Sequence, residues 1–273
     1  MKTTLTLLGT AGGPGGHPER AGIATLIESG SVRCLVDAGD GVSGQLARAG
    51  IAVNELDVVL LTHLHDDHTA GLPGLLSFRH TMRGAPLRLI GPPGTRALLE
   101  GILAFLTANT AIRGHEGRLA DPATLFDVEE AEPGLVFVDG PLTVTAAENS
   151  HYGLTTFATE QRSYAFRFDA PDRSIVLTGD TGESVAVETL ARGADVLVSE
   201  MVTAADVAMV PPPVRAHMLA EHLSPVQVGR LAARAGVAAI VLSHFTDASP
   251  EDLAAIRGEF TGNVIAGTDL LRL

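Results

Sequence analysis

Thiols are nearly absent from this chain. Cys34 is the only cysteine among 273 residues, so no internal disulfide can form. It lies in the strand-like run 32–36, the setting of a small buried core residue. Any metal site must therefore do without an obvious thiolate. Long apolar runs are also missing, and none reaches membrane-spanning length. Residues 1–8 carry one lysine and a very short apolar stretch with no secretory signal after it, so the expected location is the cytoplasm. No short repeat or low-complexity linker interrupts the chain. Positive charge is scarce: 19 Lys and Arg stand against 32 Asp and Glu, a formal net charge of −13. No Lys/Arg run occurs, and residues 127–132 are acidic. Such a chain repels polyanions at long range unless its basic residues cluster, which weighs against a nucleic-acid partner.

What is present suits a globular α/β protein. Hydrophobic residues make up 45% of the chain, enough for a large core. The length fits one large domain spanning 1–273, or two fused halves. Apolar runs predict strands at 3–8, 23–27, 33–36, 58–61, 87–90, 142–146, 164–168, 174–177, 196–199 and 239–242. Helical patterns follow at 42–49, 69–79, 95–106, 184–192, 225–234 and 250–258. Ser224-Pro225-Val226-Gln227 supplies an N-cap serine, a proline at the first helical position and a glutamine at the third. Gly236 is placed to end that helix. Residues 107–133 are the least regular segment and could overhang a site, and 209–215, with three prolines, reads as a stiff loop.

The chemistry concentrates in residues 62–71, Thr-His-Leu-His-Asp-Asp-His-Thr-Ala-Gly. His63, His65, Asp67 and His68 fall within six positions, directly after the apolar run Val58-Val59-Leu60-Leu61. Imidazole nitrogen and carboxylate oxygen are the ligands a divalent cation takes when no thiolate is offered. The end of a buried strand is where α/β proteins place their functional loops. His63 and His65 can point the same way from an extended segment, while Asp67 and His68 begin a helix and face a neighbouring point. That geometry suits two metals side by side better than one.

The hexapeptide His63-Leu64-His65-Asp66-Asp67-His68 resembles the HxHxDH signature of the metallo-β-lactamase superfamily. His151, Asp180 in Thr178-Gly179-Asp180-Thr181-Gly182, and His244 in Leu242-Ser243-His244-Phe245 follow in that family's order. The resemblance covers most of the chain. It implies an α/β fold, an αββα sandwich of two mixed β-sheets with outer helices. It also implies two divalent metal ions, with Zn2+ first and Mn2+ or Fe2+ as alternatives. His63, His65 and His151 would hold one metal, Asp67, His68 and His244 the other, and Asp180 would bridge them. Such a site lowers the pKa of a shared water, so the implied activity is hydrolysis, with Asp67 orienting the nucleophile. His17, His80, His115 and His217 are expected to serve surface or hydrogen-bonding roles.

His222-Leu223-Ser224-Pro225 is similar to an H-x-[ST] element of the branch that holds ribonuclease Z and the metallo-β-lactamase-type arylsulfatases. In that branch the histidine assists the leaving group, partnered by an upstream glutamate. His222 and Glu200 are the corresponding residues, although the family's His-Glu-Ala-Thr reads Ser199-Glu200-Met201-Val202 here. The acidic balance and the lack of a basic arm favour a small-molecule ester as the substrate, in the manner of an arylsulfatase or phosphodiesterase. On this reading nucleic acid is an unlikely partner, no membrane is involved, and a homodimer rests on analogy alone. The alternatives are a tRNA 3′-end endonuclease of the ribonuclease Z type, a lactonase or thioesterase, and a non-catalytic binding protein on the same fold.

Overall fold

A computed structural model describes residues 2–114, 120–153 and 161–273. Two seven-stranded sheets form its centre. The first contains β1 (Thr4–Gly9), β2 (Ala24–Ser29), β3 (Val32–Val36), β4 (Val58–Leu60), β5 (Leu87–Gly91) and β6 (Phe126–Glu130), closed on its other edge by β14 (Leu271–Arg272). The second contains β7 (Gly134–Asp139), β8 (Leu142–Glu148), β9 (Tyr164–Asp169), β10 (Ser174–Leu177), β11 (Val196–Ser199), β12 (Ala239–Leu242) and β13 (Asn263–Ala266). Each sheet is mixed. β3 to β6 pair in parallel, as do β10 to β13, while the remaining pairings are antiparallel.

The strands divide their side chains between layers with a period of two. Val58 and Leu60 of β4 enter the core between the sheets, while Val59 faces the outer helices. In β10, Ile175 and Leu177 face inward and Val176 outward. Strands apolar on both faces require cover on both, and helices provide it. α1 (Val42–Arg48), α3 (Leu72–Thr81) and α4 (Thr95–Arg113) cover the first sheet, and α5 (Val185–Ala191), α8 (Pro225–Ala235) and α9 (Pro250–Glu259) cover the second. This is the αββα sandwich. Cys34 is fully buried in the central core, and burial pushes its thiol pKa upward. No helix among the described residues is long and apolar enough to cross a membrane.

Several elements depart from the sequence expectation. Residues 115–119 of the segment 107–133 lie outside the described residues, and the rest of it is more regular than its pattern suggests. α4 runs on to Arg113, a 3-10 turn spans Pro122–Thr124, and β6 follows. β6 is an edge strand, Phe-Asp-Val-Glu-Glu, and its charged exposed residues hide it from an apolar-run criterion. The expected stiff loop at 209–215 contains the start of a helix, α7 (Pro212–Glu221), preceded by α6 (Ala204–Met209). Pro212 and Pro213 occupy its first turn, where proline lacks only an N–H that would have had no helical partner. The expected helix at 69–79 is two pieces, α2 (Asp66–Thr69) and α3, parted at Gly71. A Cβ on Gly71 would lie 2.3 Å from the Gly39 carbonyl oxygen, so only glycine allows this approach.

Candidate metal centre

The chemistry-bearing residues gather at one edge of the sandwich. Asp37 follows β3, the His63–His68 turn follows β4, Asp180 follows β10, Glu200 follows β11 and His244 follows β12. All five lie beyond the C-terminal ends of parallel strands. His151 follows β8, which runs the same way as β10 because each is antiparallel to β9.

His63, His65 and His151 form one cluster. His63 Nε2 and His151 Nε2 lie 3.0 and 3.2 Å from His65 Nδ1. The far nitrogens are anchored. Nδ1 of His151 is 3.2 Å from the Glu221 carbonyl oxygen, and Nδ1 of His63 is 3.1 Å from the Thr62 hydroxyl. Such outer contacts fix the rings and leave Nε2 facing inward. Burial drives all three pKa values down, and His151 falls to about 3. These imidazoles are therefore neutral, the form in which a histidine can ligate a metal.

Asp67, His68, Asp180 and His244 form the second cluster. His244 Nε2 is 3.1 Å from Asp67 Oδ2, while His68 Nε2 and His244 Nδ1 each lie 3.4 Å from Asp180 Oδ1. Here the electrostatics are reversed. Burial opposes charge on His68, yet Asp180 and Asp37 outweigh it and hold its pKa well above the usual value. His244 rises for the same reason, with Asp180 and Asp67 overcoming burial. Burial likewise pushes Asp67 up, but the His244 hydrogen bond and the His68 charge bring it down to about 2. Asp180, 3.9 Å from His63 Nε2, reaches both clusters.

The donor set fits cations. His68 Nε2, Asp180 Oδ1 and His244 Nδ1 are buried without a hydrogen-bond partner among the described residues, and their residues belong to one group whose potential ligand atoms lie within 4.8 Å of one another. Buried polar atoms of this kind call for an ion or water between them. Nearby, His244 and Asp37 adopt left-handed backbone with φ of 52° and 58°. Non-glycine residues pay roughly 1–2 kcal/mol for that conformation, and such strain gathers at functional sites. The His/Asp clusters are suited to binding two metal ions.

Glu200 and His222 stand beside the clusters. His222 Nδ1 is 2.9 Å from Glu200 Oε2, and Glu200 Oε1 accepts from the backbone N–H groups of Thr181 and Leu223. Burial raises the Glu200 pKa despite the adjacent imidazole. Burial pulls His222 down, but Glu200 more than compensates and lifts it to about 9. His222 also groups with His151 and Asp180 as a third set of potential ligands.

Sequence reasoning passed over three residues here. Asp37 accepts from Thr62 N and the Thr62 hydroxyl, and lies 2.9 Å from His68 Nδ1. Its position directly after an apolar strand was the available signal. Thr62 links Asp37 to both His63 and His68. Tyr152 packs its ring against His63, His65 and His151. Of the other histidines, His17 Nδ1 accepts from the Glu19 amide, His80 Nε2 meets the Ala120 carbonyl and His217 pairs with Glu221. His115 lies outside the described residues.

The fold and the paired clusters define a metal-dependent hydrolase. A profile of the β-lactamase superfamily domain matches residues 32–245, and the chain belongs to the metallo-β-lactamase superfamily. Among curated relatives it is 33% identical to a Ribonuclease Z of Mycobacterium bovis over 98% of this chain and 97% of that one. A Ribonuclease Z of Mycobacterium avium is 35% identical with the same coverage. Among solved structures, the metallo-β-lactamase fold protein YhfI of Bacillus subtilis superposes with a TM-score of 0.76 at 22% identity, covering 99% of this chain and 98% of that one. The short form of human tRNase Z gives a TM-score of 0.70 at 22% identity with the same coverage. At that identity the two structures speak for the fold alone.

These relatives overturn the expectation of a small-molecule ester as partner with nucleic acid unlikely, since the curated ones are named as ribonucleases. They lend no support to an arylsulfatase-like reading. The error lay in treating net charge as a local quantity. The buried carboxylates Asp37, Asp180, Glu200 and Glu221 all count in the total of −13, yet they line or adjoin a pocket built for cations. A polyanion meets the local field, bound ions included, rather than the sum over the chain.

Proposed function

We propose that this chain is a ribonuclease Z-like endonuclease that hydrolyses a phosphodiester at the 3′ end of precursor tRNA. Its metals would be held by His63, His65 and His151 on one side and by Asp67, His68 and His244 on the other, with Asp180 shared. Zn2+ is the first choice, and Mn2+ or Fe2+ suit the same donors. When bound, two such cations supply Lewis acidity at the phosphoryl oxygens and make water more acidic. Asp67, steadied by His244, orients the attacking water. The whole of 1–273 acts as one domain, and its place of action is the cytoplasm.

The observation that carries this reading is the His222–Glu200 pair, 2.9 Å apart at the edge of the clusters. A ribose oxygen leaves as a strongly basic alkoxide and needs a proton. A phenolate leaves readily without one. A built general acid is therefore worth about 10²–10⁴-fold on RNA and little on an aryl ester. Glu200 accepts the Nδ1–H of His222, which leaves Nε2 to carry the proton toward the departing oxygen.

The test is direct. Metal-loaded protein is incubated with a precursor tRNA and the new 3′ end is mapped. A single cut after the acceptor stem, abolished by a chelator and restored by metal, is the expected result. Failure to cut by protein carrying two metals per chain would refute the proposal.

A further inference from the structure

We propose that Asp269 is a positioning residue, the clamp that holds the glycine-rich loop 11–21 against the second cluster and so shapes the cleft beside it. The loop, Ala-Gly-Gly-Pro-Gly-Gly-His-Pro-Glu-Arg-Ala, has little side-chain packing of its own to hold it. It nevertheless lies close to the site. A Cβ on Gly12 would come within 2.9 Å of the His244 backbone and 3.1 Å of its Nδ1. The loop forms one wall of a cleft of about 380 Å³ that also reaches Asp66 and Asp67.

Both ends of the loop are tied to one carboxylate. Asp269 Oδ1 accepts from the Thr10 hydroxyl at 2.8 Å, and Oδ2 accepts from the Ala21 amide at 2.7 Å. Gln45 Nε2, on α1, donates to the same Oδ2 at 2.7 Å. Around this hub Arg20 donates to the Thr10 hydroxyl, and its guanidinium stacks 4.3 Å above the Phe245 ring. The Phe245 amide donates to the Thr10 carbonyl. The clamp thus extends to the residue following His244. The turn that presents Asp269 is itself strained, because Leu270 adopts φ of 64°. A left-handed leucine persists only where its surroundings enforce it. Two N–H donors converge on Oδ2 and a hydroxyl on Oδ1, so the Oδ2 side must be an acceptor, and the carboxylate charge strengthens all three bonds. An amide there would keep at best neutral contacts, with its NH2 donating to the Thr10 hydroxyl, and would lose that charge.

The consequence for RNA rests on the function proposed above, whereas the clamp itself does not. The experiment compares Asp269→Asn and Thr10→Val with the parent, each as the full metal-loaded chain. Loss of charge-assisted hydrogen bonds should speed amide exchange in residues 11–21 by about tenfold or more in Asp269→Asn, and by less in Thr10→Val. Exchange in β4 and β12 should stay unchanged. KM for precursor tRNA should rise about tenfold while kcat and metal content hold, because a cleft wall is lost rather than a reacting group. Turnover of bis(p-nitrophenyl) phosphate, too small to use that wall, should stay within about twofold. Unchanged exchange in the loop, or faster exchange throughout the chain in both variants, overturns the clamp. Faster loop exchange with an unaltered KM overturns its role in shaping the substrate cleft. If the parent does not cut tRNA, the functional reading fails while the exchange result still decides the clamp.

Discussion

The two halves of the candidate metal centre are built from similar residues in opposite electrostatic settings. His63, His65 and His151 hold no carboxylate within their own set, and burial, helped by neighbouring imidazoles, pushes them toward the neutral form. Asp67, His68, Asp180 and His244 include two carboxylates, with a third, Asp37, behind them, and these pull positive charge onto the imidazoles. The first half is prepared by desolvation and the second by anions. A cation entering the first half meets imidazoles that burial pushes toward the neutral, ligating form, whereas one entering the second competes with protons that the carboxylates favour on His68 and His244. Asp180 is the hinge of this comparison because its two oxygens face the two halves.

Removing that hinge should have the largest effect. Asp180→Ala leaves two cations facing each other with no anion between them. We expect a rate loss on the order of 10⁴-fold or more, together with fewer than two metals per chain by elemental analysis. A variant that kept both metals and most of its activity would dissolve the distinction between the halves. Next comes His222→Ala, which asks whether a third imidazole belongs to either half. As a general acid it should cost about 10²–10⁴-fold on substrates with basic leaving groups, spare nitrophenyl esters and retain both metals. Rates plotted against leaving-group pKa decide this. Parallel slopes for parent and variant exclude the acid role, and loss of metal makes His222 a ligand. The smallest effect is expected from Asp37→Asn, which touches only the second half. Outer partners of ligating histidines are worth about 10–100-fold in metal affinity. Titration with competing chelators should show one of two metals weakened. Equal weakening of both would mean that the halves are not independent.

How much of this was legible beforehand differs by element. Strands buried on both faces, such as β4, β10, β11 and β12, were plain from uninterrupted apolar runs. Edge strands were not. β6 is charged and β14 is two residues long, so neither carries a burial pattern to detect. The helix α7 stayed hidden because its prolines read as a loop and, of its ten residues, only Glu221 is buried. Within the site, the HxHxDH run was visible because its residues are adjacent in sequence. Asp37 and Asp269 were not, since their partners lie 25 to 259 residues away.

The sequence by itself determined the class of chemistry. Three histidines and an aspartate packed behind a buried strand, without thiols, narrow the donors to nitrogen and oxygen and the ions to borderline or hard dications. It also determined the layered α/β architecture, because strand and helix periods are local properties of the chain. Tertiary structure alone decided which imidazoles are pushed toward the neutral form and which toward the charged one. That depends on carboxylates brought in from the ends of β3 and β10 and on how deeply each ring is buried. It alone decided that a C-terminal aspartate fastens an N-terminal loop. The physical reason is the same in both cases. Burial and Coulomb energies depend on distance in space, and the residues that set them are far apart along the chain.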